Sequence, residues 1–273
     1  MTAIALTIAG SDSGGGAGIQ ADLKTFSALR AYGASVLTAL TAQNTTGVSA
    51  IHDVPAEFIA AQMDAVFSDL DVDAVKIGML SQPQVIAAVA DGLKRHNFIP
   101  THGRTVVLDP VMVAESGDPL LAENAITSLI DHLFPLASVI TPNLHEAARL
   151  LNTVPAKTEL EMEKQAAELM QLGANAVLLK GGHSEKADAS DVLIVGKEEQ
   201  QWFRAPFIKT ENTHGTGCSL SSAIAARMAQ GDSLTDATAA AKRWLSKAIA
   251  HADDLQIGKG AGPVHHFHGV WST

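Results

Sequence analysis

The feature that most constrains the fold of this chain is a repeated alternation of short apolar runs with amphipathic helical patterns. The apolar runs are Ile4–Ala9, Ala74–Ile77, Val106–Leu108, Ser138–Ile140 and Ala176–Leu179. Residues between and after them carry apolar side chains at three- and four-residue spacing, which is typical of helices with one buried face. This alternation predicts an α/β fold with a doubly wound, mainly parallel central sheet flanked by helices. In such sheets, ligands bind beyond the carboxyl ends of the strands.

Length and composition favour a single domain spanning residues 1–273. No Pro/Ser-rich linker or low-complexity run divides the chain. Hydrophobic residues make up 47% of the chain but aromatic residues only 4%, which indicates a core of Ala, Val, Leu and Ile between helices. A short run at Val48–Val54, ended by Pro55, predicts a strand with a partly exposed face. We expect a small β flap near residues 45–55.

The charge and cysteine content argue against several kinds of partner. The chain has 19 basic and 29 acidic residues, a net charge of −10, without a basic stripe, so nucleic-acid binding is not expected. The one cysteine cannot form an intramolecular disulfide, no basic region precedes the first apolar stretch, and no apolar run approaches membrane-spanning length. We therefore expect a cytoplasmic protein that does not bind membranes.

A glycine-rich loop, residues 10–18, lies between the first apolar run and a helical pattern. It lacks the lysine of a phosphate-binding Walker loop, so that interpretation fails. It also lacks the G-x-G-x-x-G spacing of dinucleotide-binding proteins, and the next predicted strand does not end in an acidic residue. Both observations weaken the hypothesis of an NAD-dependent oxidoreductase. A plain solvent loop is possible, but such dense glycine favours close backbone approach to a substrate.

A second glycine loop, residues 212–218, opens a helix that we expect to begin near Thr216. Gly215 and Gly217 remove side-chain bulk where unpaired N–H groups meet the positive end of the helix dipole, an arrangement that favours phosphate. Cys218 would lie in that field, which lowers a thiol pKa from about 8.5, so we expect it to act as a base or nucleophile. A capped helix with an inert buried cysteine fits the same stretch equally well.

Three charged residues follow predicted strands directly or closely. They are Asp109, Glu146 and Lys180. Taken singly, each has a structural alternative: a capped turn, compensation of a helix dipole and a solvated strand end. Together with an anion-binding helix start, they match phosphoryl transfer, in which Mg²⁺ bridges phosphates through one or two carboxylates and a lysine neutralises the moving group.

These stretches, with several others in order along the chain, resemble the ribokinase-like superfamily. Within it they are similar to the hydroxymethylpyrimidine and hydroxymethylpyrimidine-phosphate kinases of thiamine biosynthesis. The resemblance covers nearly the whole chain. The motifs that carry it are AGSD at 9–12, GGAGIQAD at 15–22, TAQN at 41–44, KIGM at 76–79, DPVM at 109–112, TPN at 141–143 with Glu146, KGGH at 180–183, HGTGC at 214–218 and GPVHHFH at 262–268.

The resemblance implies a sheet of about eight to nine strands, ATP with Mg²⁺ as the phosphoryl donor, and a homodimer. It assigns Asn143, Glu146 and Lys180 to the nucleotide phosphates, Asp109 and Glu146 to magnesium, and Gly215, Thr216, Gly217 and Cys218 to the anion hole. Cys218 and Lys180 would be catalytic. The pyrimidine would contact Gly10, Ala17, Asp22, Gln43, Met79 and Val111. The Gln43 amide carries a donor and an acceptor and can match an aminopyrimidine.

Other functions stay open from the sequence. Some pyridoxal kinases also carry cysteine at the position of Cys218, whereas most of the superfamily carries aspartate, so pyridoxal phosphorylation is the nearest alternative. A vitamin-binding regulator without catalysis is a more remote one. The His265–His268 tail is interpreted as a solvated end rather than a metal site.

Overall fold

The computed structural model describes residues 2–100, 103–113, 120–122, 124–182, 188–196 and 199–271. Its strands form one nine-stranded sheet in the order β3-β2-β1-β4-β5-β6-β7-β8-β9. The strands are β1 (Ile4–Asp12), β2 (Tyr32–Asn44), β3 (Gly47–Asp53), β4 (Ala74–Ile77), β5 (Thr105–Leu108), β6 (Val139–Ile140), β7 (Ala176–Lys180), β8 (Asp188–Val195) and β9 (Glu199–Pro206).

The middle of the sheet is parallel and its edges are antiparallel. Neighbouring strands from β2 through β1, β4, β5 and β6 to β7 pair in parallel. The pairs β2–β3, β7–β8 and β8–β9 are antiparallel. This confirms the mainly parallel α/β fold, while the β8–β9 hairpin is an element that the sequence patterns did not reveal.

Helices cover both faces of the sheet. They are α1 (Gly18–Ala28), α2 (Ala56–Phe67), α3 (Pro83–Arg95), α4 (Ala125–His132), α5 (Leu144–Leu150), α6 (Glu159–Gln171), α7 (Thr216–Ala229) and α8 (Leu234–Ala250). One apolar layer joins the sheet to α2 through α6, and the other joins it to α1, α7 and α8. Along β5, Val106 and Leu108 enter the first layer and Val107 the second, because successive side chains point to opposite faces of a strand.

The expected flap is the edge strand β3, which pairs with β2 through the register Ala39↔Asp53 to Asn44↔Gly47. The register of this pairing shifts between Ala42 and Gln43, and such an irregularity bends the end of β2 at Gln43. Most of β3 is exposed, as its sequence indicated. In the described part of the chain, no helix is both long and apolar enough to cross a membrane.

Since the six parallel strands run in one direction, their carboxyl ends meet at one edge of the sheet. β1 ends at Asp12, β5 is followed by Asp109, and β7 ends at Lys180. Polar residues that are far apart in sequence therefore meet at this edge. The adjoining His183 lies outside the described residues.

Candidate active site

A cavity of about 490 Å³ opens at this edge of the sheet. Its wall contains five of the six residues predicted for the pyrimidine: Gly10, Ala17, Gln43, Met79 and Val111. It also contains every residue predicted for the phosphates, the metal and catalysis: Asp109, Asn143, Glu146, Lys180, Gly215, Thr216, Gly217 and Cys218. The tertiary structure thus brings the two predicted groups of residues together in one cavity.

The exception is Asp22. Its side chain has no exposed surface and lies behind the cavity wall. Its two carboxylate oxygens accept hydrogen bonds from Thr7 Oγ1 at 2.6 Å, Ser222 Oγ at 2.6 Å and Lys76 Nζ at 2.9 Å. The geometry therefore gives Asp22 an internal ion pair in place of the expected direct contact with the substrate.

Asp109 and Lys180 form a buried ion pair at the centre of the site. Lys180 Nζ donates to Asp109 Oδ1 at 2.9 Å, and Thr141 Oγ1 donates to the same oxygen at 3.0 Å. Burial favours the neutral form of Asp109, but Lys180 and Lys76 outweigh it and hold the pKa of Asp109 below its usual value. Both groups are consequently charged at neutral pH.

Glu146 lies beside this pair because it belongs to the first turn of α5. Asn143 caps that helix: its Oδ1 accepts from Glu146 N–H at 2.9 Å, and Glu146 Oε2 accepts from Asn143 N–H at 2.8 Å. This reciprocal pair is a capping box, which fixes the direction of both side chains. Burial raises the pKa of Glu146 to about 7, against the opposing effect of Lys180.

The helix α7 begins at Thr216, as its sequence predicted. The preceding Gly215 has φ 79°, and a Cβ there would lie 1.9 Å from the carbonyl oxygen of Gly16, so the two glycine loops touch. A Cβ on Gly217 would lie 3.3 Å from Lys180 Nζ and 3.6 Å from Asp109 Oδ2. The positive end of α7 therefore faces the ion pair across a space that favours an anion.

Cys218 differs from the expectation of a lowered pKa. The residue is half-buried and lines the cavity, but burial raises the pKa of its thiol to about 11, despite the nearby Lys76 ammonium. Asp22 and Asp109 add to the increase by repelling a thiolate. The direction of this shift is opposite to the expected one, because desolvation and two carboxylates outweigh the helix terminus.

Two further groups at the site were missed as functional candidates. Asp12 lies at the end of β1 and accepts from the N–H groups of Gly14, Gly16 and Ala17 at 2.8 to 3.0 Å, which shapes the first glycine loop. His214 Nε2 lies 3.0 Å from Asp12 Oδ2 and so connects this loop to the second one. The position of Asp12 just before the glycine cluster was the feature of the sequence that could have marked it as a functional candidate.

A further buried ion pair lies behind Lys180. Asp191 of β8 accepts from Gly181 N–H at 3.0 Å and from Lys242 Nζ of α8 at 2.6 Å. It therefore braces the end of β7 that carries Lys180. Neither residue stood out in the sequence, because the β8–β9 hairpin that places Asp191 there was not recognised.

The histidine tail is not a solvated end, which corrects that interpretation. His265 and His266 are buried, and His266 Nε2 lies 3.0 Å from Ser219 Oγ in the first turns of α7. Burial lowers the pKa of His266 to about 3. Among the described residues, no group of three or more His, Cys, Asp or Glu side chains could hold a metal ion.

Comparison with known proteins identifies close relatives. A sequence model of the phosphomethylpyrimidine kinase family matches residues 12–265. A hydroxymethylpyrimidine/phosphomethylpyrimidine kinase from Rhizobium meliloti (strain 1021) is 59% identical over 271 residues, which are 99% of this chain and 99% of that protein.

Solved structures of related kinases have the same fold as this chain. A phosphomethylpyrimidine kinase from Clostridium difficile 630 matches 90% of this chain and 98% of its own, with TM-score 0.77 and 44% identity. The ADP complex of a Bacillus subtilis pyridoxal kinase matches 97% of this chain and 98% of its own, with TM-score 0.88 and 36% identity.

Proposed function

Since this chain belongs to the phosphomethylpyrimidine kinase family, we propose that it phosphorylates 4-amino-5-hydroxymethyl-2-methylpyrimidine with ATP and then phosphorylates the resulting monophosphate. This activity would supply the pyrimidine diphosphate for thiamine biosynthesis. The observation that carries the proposal is the position of the Asp109–Lys180 ion pair, which lies next to the start of α7 in the same cavity that Gln43 lines.

The transferred phosphoryl group would lie against Lys180 and the first N–H groups of α7. A helix that begins at Thr216 leaves its first N–H groups without partners inside the helix, so they can donate to phosphate oxygens. Lys180 adds a full positive charge, and its pairing with Asp109 keeps its Nζ in a fixed place. Such preorganised charges stabilise the transition state of phosphoryl transfer.

Asp109 and Glu146 suit a magnesium ion that is shared with the nucleotide. Both residues line the cavity, and Mg²⁺ prefers oxygen ligands supplied by one or two carboxylates and by substrate phosphates. From the residues that the structure describes, Oδ2 of Asp109 accepts a single long contact of 3.3 Å from Ser221, so it retains capacity for a ligand. When bound, the ion would neutralise phosphate charge.

The acceptor would lie on Gly10, Ala17, Met79 and Val111, with Gln43 reading its amino group and ring nitrogen. Gly10 has little room for a side chain, since a Cβ there would lie 3.0 Å from Met79 Sδ. Cys218 would face the hydroxymethyl oxygen as a thiol, because its pKa of about 11 keeps it protonated at rest. A loose phosphoryl-transfer transition state demands little activation of that oxygen.

Pyridoxal phosphorylation remains the alternative. The fold similarity to the Bacillus subtilis pyridoxal kinase supports it as a side activity. Full-length identity of 59% to a pyrimidine kinase against 36% to that pyridoxal kinase favours the pyrimidine as the main substrate. A regulator without catalysis disagrees with membership of a kinase family and with the retained Asp109, Glu146 and Lys180.

Assembly and location are further parts of the proposal. We infer a homodimer, as the resemblance implies, and a cytoplasmic location, as the single cysteine and the lack of long apolar runs indicate. The dimer interface would include the β2–β3 edge, where Tyr32, Leu40 and Ile51 expose 56%, 43% and 42% of their surface. Light scattering at micromolar concentration tests this, and a monomer mass would contradict it.

The test of function is incubation with ATP, Mg²⁺ and hydroxymethylpyrimidine, followed by separation of products. We expect a monophosphate that converts to a diphosphate, with both steps abolished when Mg²⁺ is chelated. A parallel reaction with pyridoxal measures the side activity. Higher kcat/KM for pyridoxal than for the pyrimidine would reverse the assignment of the main substrate.

A further inference from the structure

The side-chain amide of Gln43 lies between two groups that restrict its orientation. Its Oε1 is 3.1 Å from Thr41 Oγ1, and its Nε2 is 3.4 Å from His214 Nε2. Thr41 Oγ1 also lies 2.9 Å from the carbonyl oxygen of Ser11, to which it must donate because a carbonyl only accepts. A hydroxyl has a single proton, so Thr41 cannot donate to Gln43 as well.

The His214 side presents a matching conflict. Oδ2 of Asp12 accepts from the N–H groups of Gly16 and Ala17 and lies 3.0 Å from His214 Nε2. Burial favours neutral Asp12, but the hydrogen bonds from His214 and the loop outweigh it and hold its pKa below the usual value. An ionised carboxylate only accepts, so His214 Nε2 carries a proton and cannot accept one from the Gln43 amide.

Both conflicts disappear when the amide is rotated by 180°. The Nε2–H of His214 still donates to Asp12, and Oε1 of Gln43 then lies beside that N–H, where a partial negative charge is favourable and an NH₂ group would be repelled. The NH₂ group donates to Thr41 Oγ1, which still donates to Ser11. An amide has two N–H donors and two lone pairs, so one donor and one acceptor remain for a ligand. Their order along the cavity wall is the reverse of that in the other orientation.

His214 is itself held rigidly. Its ring packs on Gly16, where a Cβ would lie 2.3 Å from His214 Cδ2. Its backbone N–H donates to the carbonyl oxygen of Gly262 at 3.0 Å. These contacts and the hydrogen bond to Asp12 define the position of the ring beside the Gln43 amide.

We propose that His214, fixed by Asp12, is a positioning residue that orients the Gln43 amide and so helps to select the acceptor. This inference rests on the proposed function, in which Gln43 contacts the pyrimidine. The acceptor class it favours is a heteroaromatic ring with an amino group beside a ring nitrogen, because such a ring uses both the free donor and the free acceptor. A hydroxypyridine without that amino group uses fewer of them.

The test is a double-mutant cycle between His214→Phe and Gln43→Ala. Phenylalanine keeps a flat ring against Gly16 and removes the N–H group. We expect His214→Phe to raise the KM for hydroxymethylpyrimidine roughly two- to twelvefold, the value of about one hydrogen bond. The ratio of kcat/KM for the pyrimidine over pyridoxal should fall, and the KM for ATP should stay within about twofold. In the Gln43→Ala background the same change should have little further effect.

Thr41→Val removes the other partner of the amide and should raise the same KM, so the inference stays testable if His214→Phe does not fold. Thermal melting of each variant provides the folding control. An unchanged pyrimidine KM, an equal rise with Gln43 present or absent, or a parallel rise in the KM for ATP would each overturn the role of His214. A wild-type enzyme without activity on the pyrimidine would instead overturn the proposed function, and this inference with it.

Discussion

Lys76 and Asp22 form an ion pair in which neither side chain has any exposed surface, and Lys76 Nζ lies 2.9 Å from both carboxylate oxygens. Burial favours neutral Lys76, but the Asp22 carboxylate, assisted by Asp109, outweighs it and holds the pKa of Lys76 above its usual value. This positive charge beneath the cavity counters the carboxylates around it. It also ties β4 to α1.

The first prediction concerns the cost of breaking this pair. Lys76→Met should reduce the free energy of unfolding by about 3–5 kcal/mol, because it leaves the Asp22 carboxylate buried without a counter-ion. The double variant Lys76→Met/Asp22→Leu should lose less. Urea denaturation measures both, and Lys164→Met, at a lysine that is 75% exposed, is the control. A loss below about 1 kcal/mol for the single variant would show that Thr7 and Ser222 suffice to stabilise Asp22.

The second prediction concerns the phosphate clamp. Lys180→Met and Asp109→Asn should each lower kcat by about 10²-fold or more at saturating ATP and Mg²⁺. Each variant removes a charge that helps to stabilise the transition state. Lys164→Met again serves as the matched control and should retain normal kcat. Steady-state rates decide the matter: near-normal kcat in either variant would remove that residue from phosphoryl transfer.

The third prediction concerns Cys218. Since it is the single cysteine of the chain, its alkylation by iodoacetamide reports one thiol. Its pKa of about 11 means that the rate should be slow at pH 7 and still rise above pH 9. A rate that reaches its plateau below pH 8 would restore the lowered thiol pKa that the helix terminus suggested.

The same thiol can be tested in catalysis. A preformed thiolate base would make Cys218→Ser slow phosphorylation of the alcohol by about 10²–10⁴-fold and leave the phosphate step, whose acceptor is already ionised, nearly unchanged. A protonated thiol predicts smaller and similar losses in the two steps, of about tenfold or less. Single-turnover rates of the two steps distinguish these outcomes.

The fourth prediction concerns protons released on metal binding. With a pKa of about 7, Glu146 is partly protonated at neutral pH, and a carboxylate must lose its proton to bind a cation. Binding of Mg²⁺ with nucleotide should therefore release protons near pH 7 and weaken as the pH falls below it. Calorimetry in buffers of different ionisation enthalpy measures the release.

Glu146→Gln is the matched control for this effect, because glutamine can keep the capping box with Asn143 and does not titrate. The difference in proton release between the two proteins removes the contribution of the nucleotide itself. Equal release from both would place the titrating group elsewhere.

Local pattern was enough to predict much of the sheet and one helix start. Ala74–Ile77 is a strand with the predicted bounds, and α7 begins at Thr216. Both rest on side-chain periodicity and glycine placement, which act within a few residues. The β8–β9 hairpin escaped recognition, since its strands carry charged and polar residues among the apolar ones.

The sequence by itself determined the α/β class, the polar strand ends and the family, because those depend on periodicity and on motifs in order. Only the tertiary structure decided which charges meet. It paired Lys76 with Asp22 across 54 residues, raised the pKa of Cys218 by burial, and set His214 between Asp12 and Gln43. Desolvation and hydrogen bonding depend on neighbours that are distant in the chain, so no local pattern contains them.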